Sequence, residues 1–213
     1  MSLPIRLLSG LAADERLFAP QLAAFPNLEV VPWVAPQPGE SLRAYAKRIA
    51  PSVDPGRPCV VGGASFGGMV ALELARLVPA VAVVLIGSVR SPRGFPVRWR
   101  LLEPLAHLGP DAIRVLAGWG AKLPLSAVSA RRVRRLARPE SAFERWGLCA
   151  AARWRPRELT IPVFHIHGSA DGVLPASRAR PDVLVPDGRH ALTLSHPRAV
   201  NEFLVHITRA VNS

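Results

Sequence analysis

Gly62-Gly63-Ala64-Ser65-Phe66-Gly67-Gly68 lies between an apolar β-branched run, Cys59-Val60-Val61, and a stretch with helical spacing of Met69, Leu72, Leu74, Ala75 and Leu77. A serine on a tight strand-to-helix turn needs neighbours without bulk, because the backbone on both sides approaches closely. Gly63-x-Ser65-x-Gly67 supplies them and presents the Ser65 hydroxyl at the carboxyl edge of a sheet, beside the positive end of the following helix. A phosphate-binding loop would carry a Lys-Ser/Thr pair after its glycines. None follows here.

Working outward, short apolar runs ended by turn residues predict six strands: Ile5 to Leu8, Val30 to Val34, Cys59 to Val61, Val81 to Ile86, Pro162 to Ile166 and Asp182 to Val185. Their hydrophobicity is continuous rather than alternating, which places them in a sheet buried on both faces. Between them the period lengthens. Ser41 caps a helix carrying Leu42, Tyr45, Ala46 and Ile49, and Pro197 opens a last helix with Val200, Phe203, Leu204, Ile207 and Val211. The expectation is an α/β fold: one domain over residues 1–213 with a doubly wound, mainly parallel sheet of about six strands. Residues 89–158 break the rhythm and predict a helical lid inserted over the carboxyl ends of the strands.

The 213 residues, 49% apolar and 20% charged, suffice for one core. Arg76 and Pro79 interrupt the richest apolar stretch, Met69 to Ile86, so no transmembrane segment is expected. No secretory signal is read at the N-terminus, and the expected location is cytoplasmic. Cys59 and Cys149 have no metal-binding spacing and read as inert core thiols. The net charge is +12, and only Lys47 and Lys122 of the 27 basic residues are lysines. Between Val89 and Glu158, 15 basic residues face five acidic ones, so the excess is regional. Within it, Arg131-Arg132-Val133-Arg134-Arg135-Leu136-Ala137-Arg138 predicts a solvent-facing helix, available to steer an anionic substrate or to touch an anionic surface. No aromatic residues interleave these arginines, which argues against specific nucleic-acid binding.

A serine hydroxyl is a poor nucleophile until a base takes its proton, and that base must be oriented by a carboxylate. His190 is placed for this, in the loop Pro186 to Ala191 between the last strand and the last helix. His196 reads as a helix start, and His107 and His206 fall in helical patterns. His165 and His167 alternate along one strand with Asp171 beyond, but no third ligand stands at metal spacing, so no metal site is read and the pair is expected to be satisfied core histidines. Asp171, in Gly168 to Pro175, is the expected carboxylate, giving the chain order Ser, Asp, His. Asp187 reads as a turn former and Asp14 as a helix cap. Donors for an oxyanion are expected in the backbone N–H groups of Phe66 and of Leu11, in the loop after the first strand.

Together the Gly10-Leu11 loop, the elbow at Ser65, the Gly168…Asp171…Pro175 stretch and Gly188-Arg189-His190 resemble the α/β-hydrolase superfamily, and its compact carboxylesterase-like branch in particular. The resemblance implies a cofactor-free hydrolase acting on a small-molecule ester or thioester through an acyl-enzyme on Ser65. A ligand-binding or lyase-type member of the same fold is the alternative it leaves open. Leu8-Ser9-Gly10 departs from the His-Gly start common in the family, and the first strand resembles the family's third.

Overall fold

A computed structural model describes residues 2–96 and 141–211. Six parallel strands form one sheet in the order β2-β1-β3-β4-β5-β6: β1 Ile5–Leu8, β2 Leu28–Val31, β3 Cys59–Ala64, β4 Ala80–Ile86, β5 Val163–Gly168 and β6 Val183–Val185. All six residues of β3 are buried, as are the last five of β4. This is the two-faced burial expected of their unbroken hydrophobicity.

Helices cover both faces. Tyr45 and Ile49 of α2 (Leu42–Val53) and Val70 and Leu74 of α3 (Phe66–Leu74) bury against one side with α4 (Ala142–Arg153). Val200, Leu204 and Ile207 of α7 (Pro197–Ala210) bury against the other. Ser41 caps α2 by accepting the N–H of Ala44, and Pro197 opens α7.

Some bounds shift. The second strand is Leu28–Val31, not Val30 to Val34, because Pro32 has no N–H to continue the ladder. β3 runs on through Gly62, Gly63 and Ala64, and α3 starts at Phe66, so Ser65 alone makes the turn. A 3₁₀ turn, Glu15–Phe18, and α1, Ala19–Ala24, fill the β1–β2 connection, with Asp14 capping the turn as expected. Two further short helices, α5 (Ala176–Ala179) and α6 (Leu192–Ser195), follow β5 and β6.

Both ends of the segment 89–158 pack into the core. Val89 and Phe95 at its start, and Cys149, Ala150, Ala151 and Trp154 near its end, are core residues. Trp154 Nε1 donates to Glu73 Oε1 at 2.8 Å, and the same carboxylate pairs with Arg43. Residues 97–140, with His107 and the Arg131 to Arg138 cluster, lie outside the described residues.

The chain leaves β1 toward β2 on one side, while β3 lies on the other. The crevice at such a reversal, beyond the carboxyl ends of the strands, is where open α/β sheets bind ligands. Ser65 and the Ser9 to Leu11 loop both stand there.

Candidate active site

The backbone of Ser65 is held at φ 52°, ψ −119°, a conformation costing about 1–3 kcal/mol in a non-glycine residue. Its neighbours show how the turn is tolerated. A Cβ on Gly67 would fall 2.2 Å from the Leu8 carbonyl oxygen, and one on Gly63 2.5 Å from the Gly67 carbonyl carbon. Only bare backbone fits between β1, β3 and α3. The Ser65 N–H donates to the Ile86 carbonyl at 3.0 Å. The Ser65 carbonyl accepts from the Gly68 N–H and from Ser88 Oγ, the latter at 2.6 Å.

The structure brings Ser65, His190 and Asp171 into one hydrogen-bonded row. Ser65 Oγ lies 2.9 Å from His190 Nε2, and His190 Nδ1 lies 2.7 Å from Asp171 Oδ2. Carboxylate oxygens accept, so Nδ1 carries the ring proton and leaves Nε2 free to take one from the hydroxyl. Asp171 Oδ1 accepts the N–H groups of Val173 at 2.8 Å and Leu174 at 3.0 Å. Burial of Asp171 works to raise its pKa. The hydrogen bonds from His167, His190 and the backbone outweigh burial and hold the carboxyl well below the usual carboxylate range. Gly168 lets the two loops meet, since a Cβ there would lie 2.2 Å from the Gly188 carbonyl oxygen.

Among the described residues both N–H groups expected to hold an oxyanion are unengaged: neither Phe66 nor Leu11 donates a backbone hydrogen bond there. A Cβ on Gly10 would rest 3.5 Å from Ser65 Cβ, so the β1 loop lies directly against Ser65. Gly147 of α4 in turn receives the Leu11 side chain, since a Cβ there would fall 2.4 Å from Leu11 Cδ2. Beside them stands an aromatic wall: Phe66 packs at 5.8 Å centroid separation from Trp33, 6.3 Å from Phe143 and 5.7 Å from Trp146. Trp146 Nε1 is fixed by the Glu40 carbonyl at 2.7 Å.

The remaining candidates fall elsewhere. His196 stands at the start of α7, His206 lies within it, and Asp187 is a turn residue at φ 56°. Cys59 and Cys149 are buried, and burial pushes the Cys59 thiol up to about 11. Among the described residues no group of three or more His, Cys, Asp or Glu side chains forms a metal site. Two contacts escaped the sequence reading. The Ser88 contact with the Ser65 carbonyl has no signal in the sequence. His167, read as core, touches Asp171 at 3.1 Å, and the four-residue spacing between them was the available signal.

A sequence model of the alpha/beta hydrolase family matches residues 2–203, and the chain belongs to that family. No curated protein matches the sequence. Among solved structures, the chain resembles a putative non-heme bromoperoxidase, BpoC, of Mycobacterium tuberculosis, with TM-score 0.67, 17% identity and coverage of 100% of this chain and 94% of that one. An esterase of Thermogutta terrifontis follows at TM-score 0.59 and 18% identity, covering 100% and 92%. A type II thioesterase, BorB, of the borrelidin biosynthetic cluster has TM-score 0.61 and 21% identity, covering 98% and 93%. At these identities the likeness is one of fold.

Proposed function

We propose that the protein is a serine hydrolase that cleaves a carboxylic ester or thioester through an acyl-enzyme on Ser65. The observation that carries this reading is the unbroken row from Ser65 Oγ to His190 to Asp171, at 2.9 and 2.7 Å, in a crevice edged by two unengaged N–H groups. His190 takes the hydroxyl proton as Ser65 attacks the carbonyl carbon, and Asp171 stabilises the imidazolium that forms. The Phe66 and Leu11 N–H groups receive the negative oxygen of the tetrahedral intermediate. His190 then returns its proton to the departing alcohol or thiol. Water, deprotonated by the same imidazole, releases the acid. No cofactor enters any step.

The aromatic wall of Trp33, Phe66, Phe143 and Trp146 suits an apolar acyl group of small to medium size. Esterases and thioesterases both stand among the structural neighbours, which supports either ester type.

The test is labelling of the protein by a fluorophosphonate probe, read by intact mass, beside turnover of p-nitrophenyl butyrate. Stoichiometric labelling and turnover, both absent in Ser65→Ala, are the expected result. A folded wild-type protein that takes no label would overturn the reading.

A further inference from the structure

Behind Asp171, on the side away from His190, the hydrogen-bonded row continues into the core. His165 and His167 stand on β5 with no exposed surface. Nε2 of His167 lies 2.7 Å from the Leu174 carbonyl oxygen and 3.1 Å from Asp171 Oδ2. Both partners can only accept, so Nε2 carries the proton and shares it between them. Nδ1 of His167 is then a lone pair, and it accepts from Nε2 of His165 at 3.1 Å. Burial, with a smaller push from the Arg90 charge, moves His165 down to about 3, so that ring is neutral near pH 7. Its other nitrogen, Nδ1, is buried without a hydrogen-bond partner.

A buried acceptor without a partner is destabilising, and neighbouring β4 fills comparable positions with Val and Leu at no such cost. A histidine serving only to satisfy the Leu174 carbonyl would need no second ring. What the second ring provides is a donor to Nδ1, which fixes the tautomer of His167 so that its N–H faces Asp171. Oδ2 therefore sits between two N–H groups, one from His190 and one from His167.

We infer that His167 is a positioning residue for the proposed hydrolytic site: its Nε2–H, set by His165, locks the plane of the Asp171 carboxylate and withdraws charge from the oxygen that faces His190. The inference rests on the reading of Ser65, His190 and Asp171 given above. Without this donor, Oδ2 keeps more negative charge against His190 and holds the imidazolium more firmly. Protonated His190 cannot act as a base, so the acid limb of the reactivity profile then moves to higher pH. The groups that bear on this limb are Asp171 and Ser65 at His190, His165 at His167, and Arg90 and Asp182 beside His165, whose backbone N–H donates to Asp182 Oδ2.

The test measures the second-order rate of fluorophosphonate labelling of Ser65 between pH 5 and 9. A glutamine amide nitrogen reproduces Nε2 of histidine, whereas an asparagine amide nitrogen reproduces Nδ1. His167→Asn is expected to label roughly tenfold more slowly and to shift the acid limb upward, while His167→Gln stays within about threefold of wild type with the limb unmoved. His165→Leu, which leaves His167 in place, is expected to shift the limb the same way by a smaller amount, and it serves should His167→Asn fail to fold. Equal losses in the Gln and Asn variants, or an acid limb unmoved in every folded variant, would overturn the role of His167. Wild type that takes no label removes the hydrolase reading itself, a result separable from the others.

Discussion

The two ends of the reactive row are held by different means. Ser65 is fixed by the chain: a strained backbone at φ 52°, glycines against β1 and α3, and one side-chain hydrogen bond from Ser88. Asp171 is fixed by chemistry: four hydrogen bonds, two from backbone N–H groups and two from histidine rings, around a buried carboxylate. The Ser65 end is thus sensitive to added volume. The acid end is sensitive to loss of a donor and to protons.

Gly67→Ala tests the first half of this contrast and carries the largest expected effect. The new Cβ would meet the Leu8 and Ser9 carbonyl oxygens at 2.2 and 2.3 Å, and both belong to backbone that cannot retreat. Loss of about 4 kcal/mol, read by urea unfolding, is the expected outcome, toward the upper end for overpacking. A variant as stable as wild type would mean that β1 and α3 have slack.

Acid should find the other end. The unfolded chain binds a proton at His165 below its ordinary value of 6.5, whereas the folded chain does not until about 3. Falling pH across that window therefore favours unfolding. Between pH 6.5 and 4 this one group is expected to remove about 3 kcal/mol of stability. Asp171, whose carboxyl is held low, adds a loss of the same sign only at lower pH. Unfolding of His165→Leu should show a correspondingly shallower pH dependence over 6.5 to 4. Parallel curves for variant and wild type would show that His165 is not held neutral.

This difference in construction also explains what could be read beforehand. The elbow is local: strand, glycines, serine and helix are contiguous in Cys59 to Leu74, so their steric logic is written in one stretch. The chain order Ser, Asp, His was readable for the same reason, since each residue follows its own strand. The His167 contact was not, because β5 places two histidines where a buried strand ordinarily carries aliphatics, and alternation alone does not distinguish a packed ring from a donating one. The second strand starts two residues and ends three residues before its expected bounds, because Val30-Val31 and Trp33-Val34 read as one run across Pro32. The packing of Gly147 on Leu11 joins residues far apart in the chain and has no local signal.

Ser88→Ala sharpens the comparison at smaller scale, removing the side-chain hydrogen bond to the backbone of the elbow, 2.6 Å to the Ser65 carbonyl. That carbonyl keeps the Gly68 N–H, so a loss of about 1 kcal/mol is expected, with Ser65 labelling slowed severalfold. If the elbow is held by backbone alone, neither quantity moves.

Charge divides the molecule along the same line. On the Ser65 flank the arginines are paired: Arg43 with Glu73 at 3.2 Å and Arg48 with Glu40 at 2.8 Å. On the acid flank Arg90, Arg93, Arg178 and Arg180 line a cavity of about 680 Å³ with Ser91 and Ser177. Among the described residues only Arg90 of these four has an acidic partner, Asp182, and Arg93, Arg178 and Arg180 form no ion pair there. Unpaired guanidinium groups leave their field in solvent, and a chain of net charge +12 adds to it, so an anionic ester should be drawn toward this flank. Screening shortens that reach as the Debye length falls from about 30 Å at 0.01 M salt to about 8 Å at 0.15 M. The expected result is a kcat/KM that falls severalfold over this range for a p-nitrophenyl ester bearing a carboxylate, and changes little for its neutral counterpart. Arg178→Ala should flatten the slope for the anionic ester, whereas Arg43→Ala should leave it unchanged. Equal slopes for the two esters would confine the contrast between the flanks to hydrogen bonding and packing.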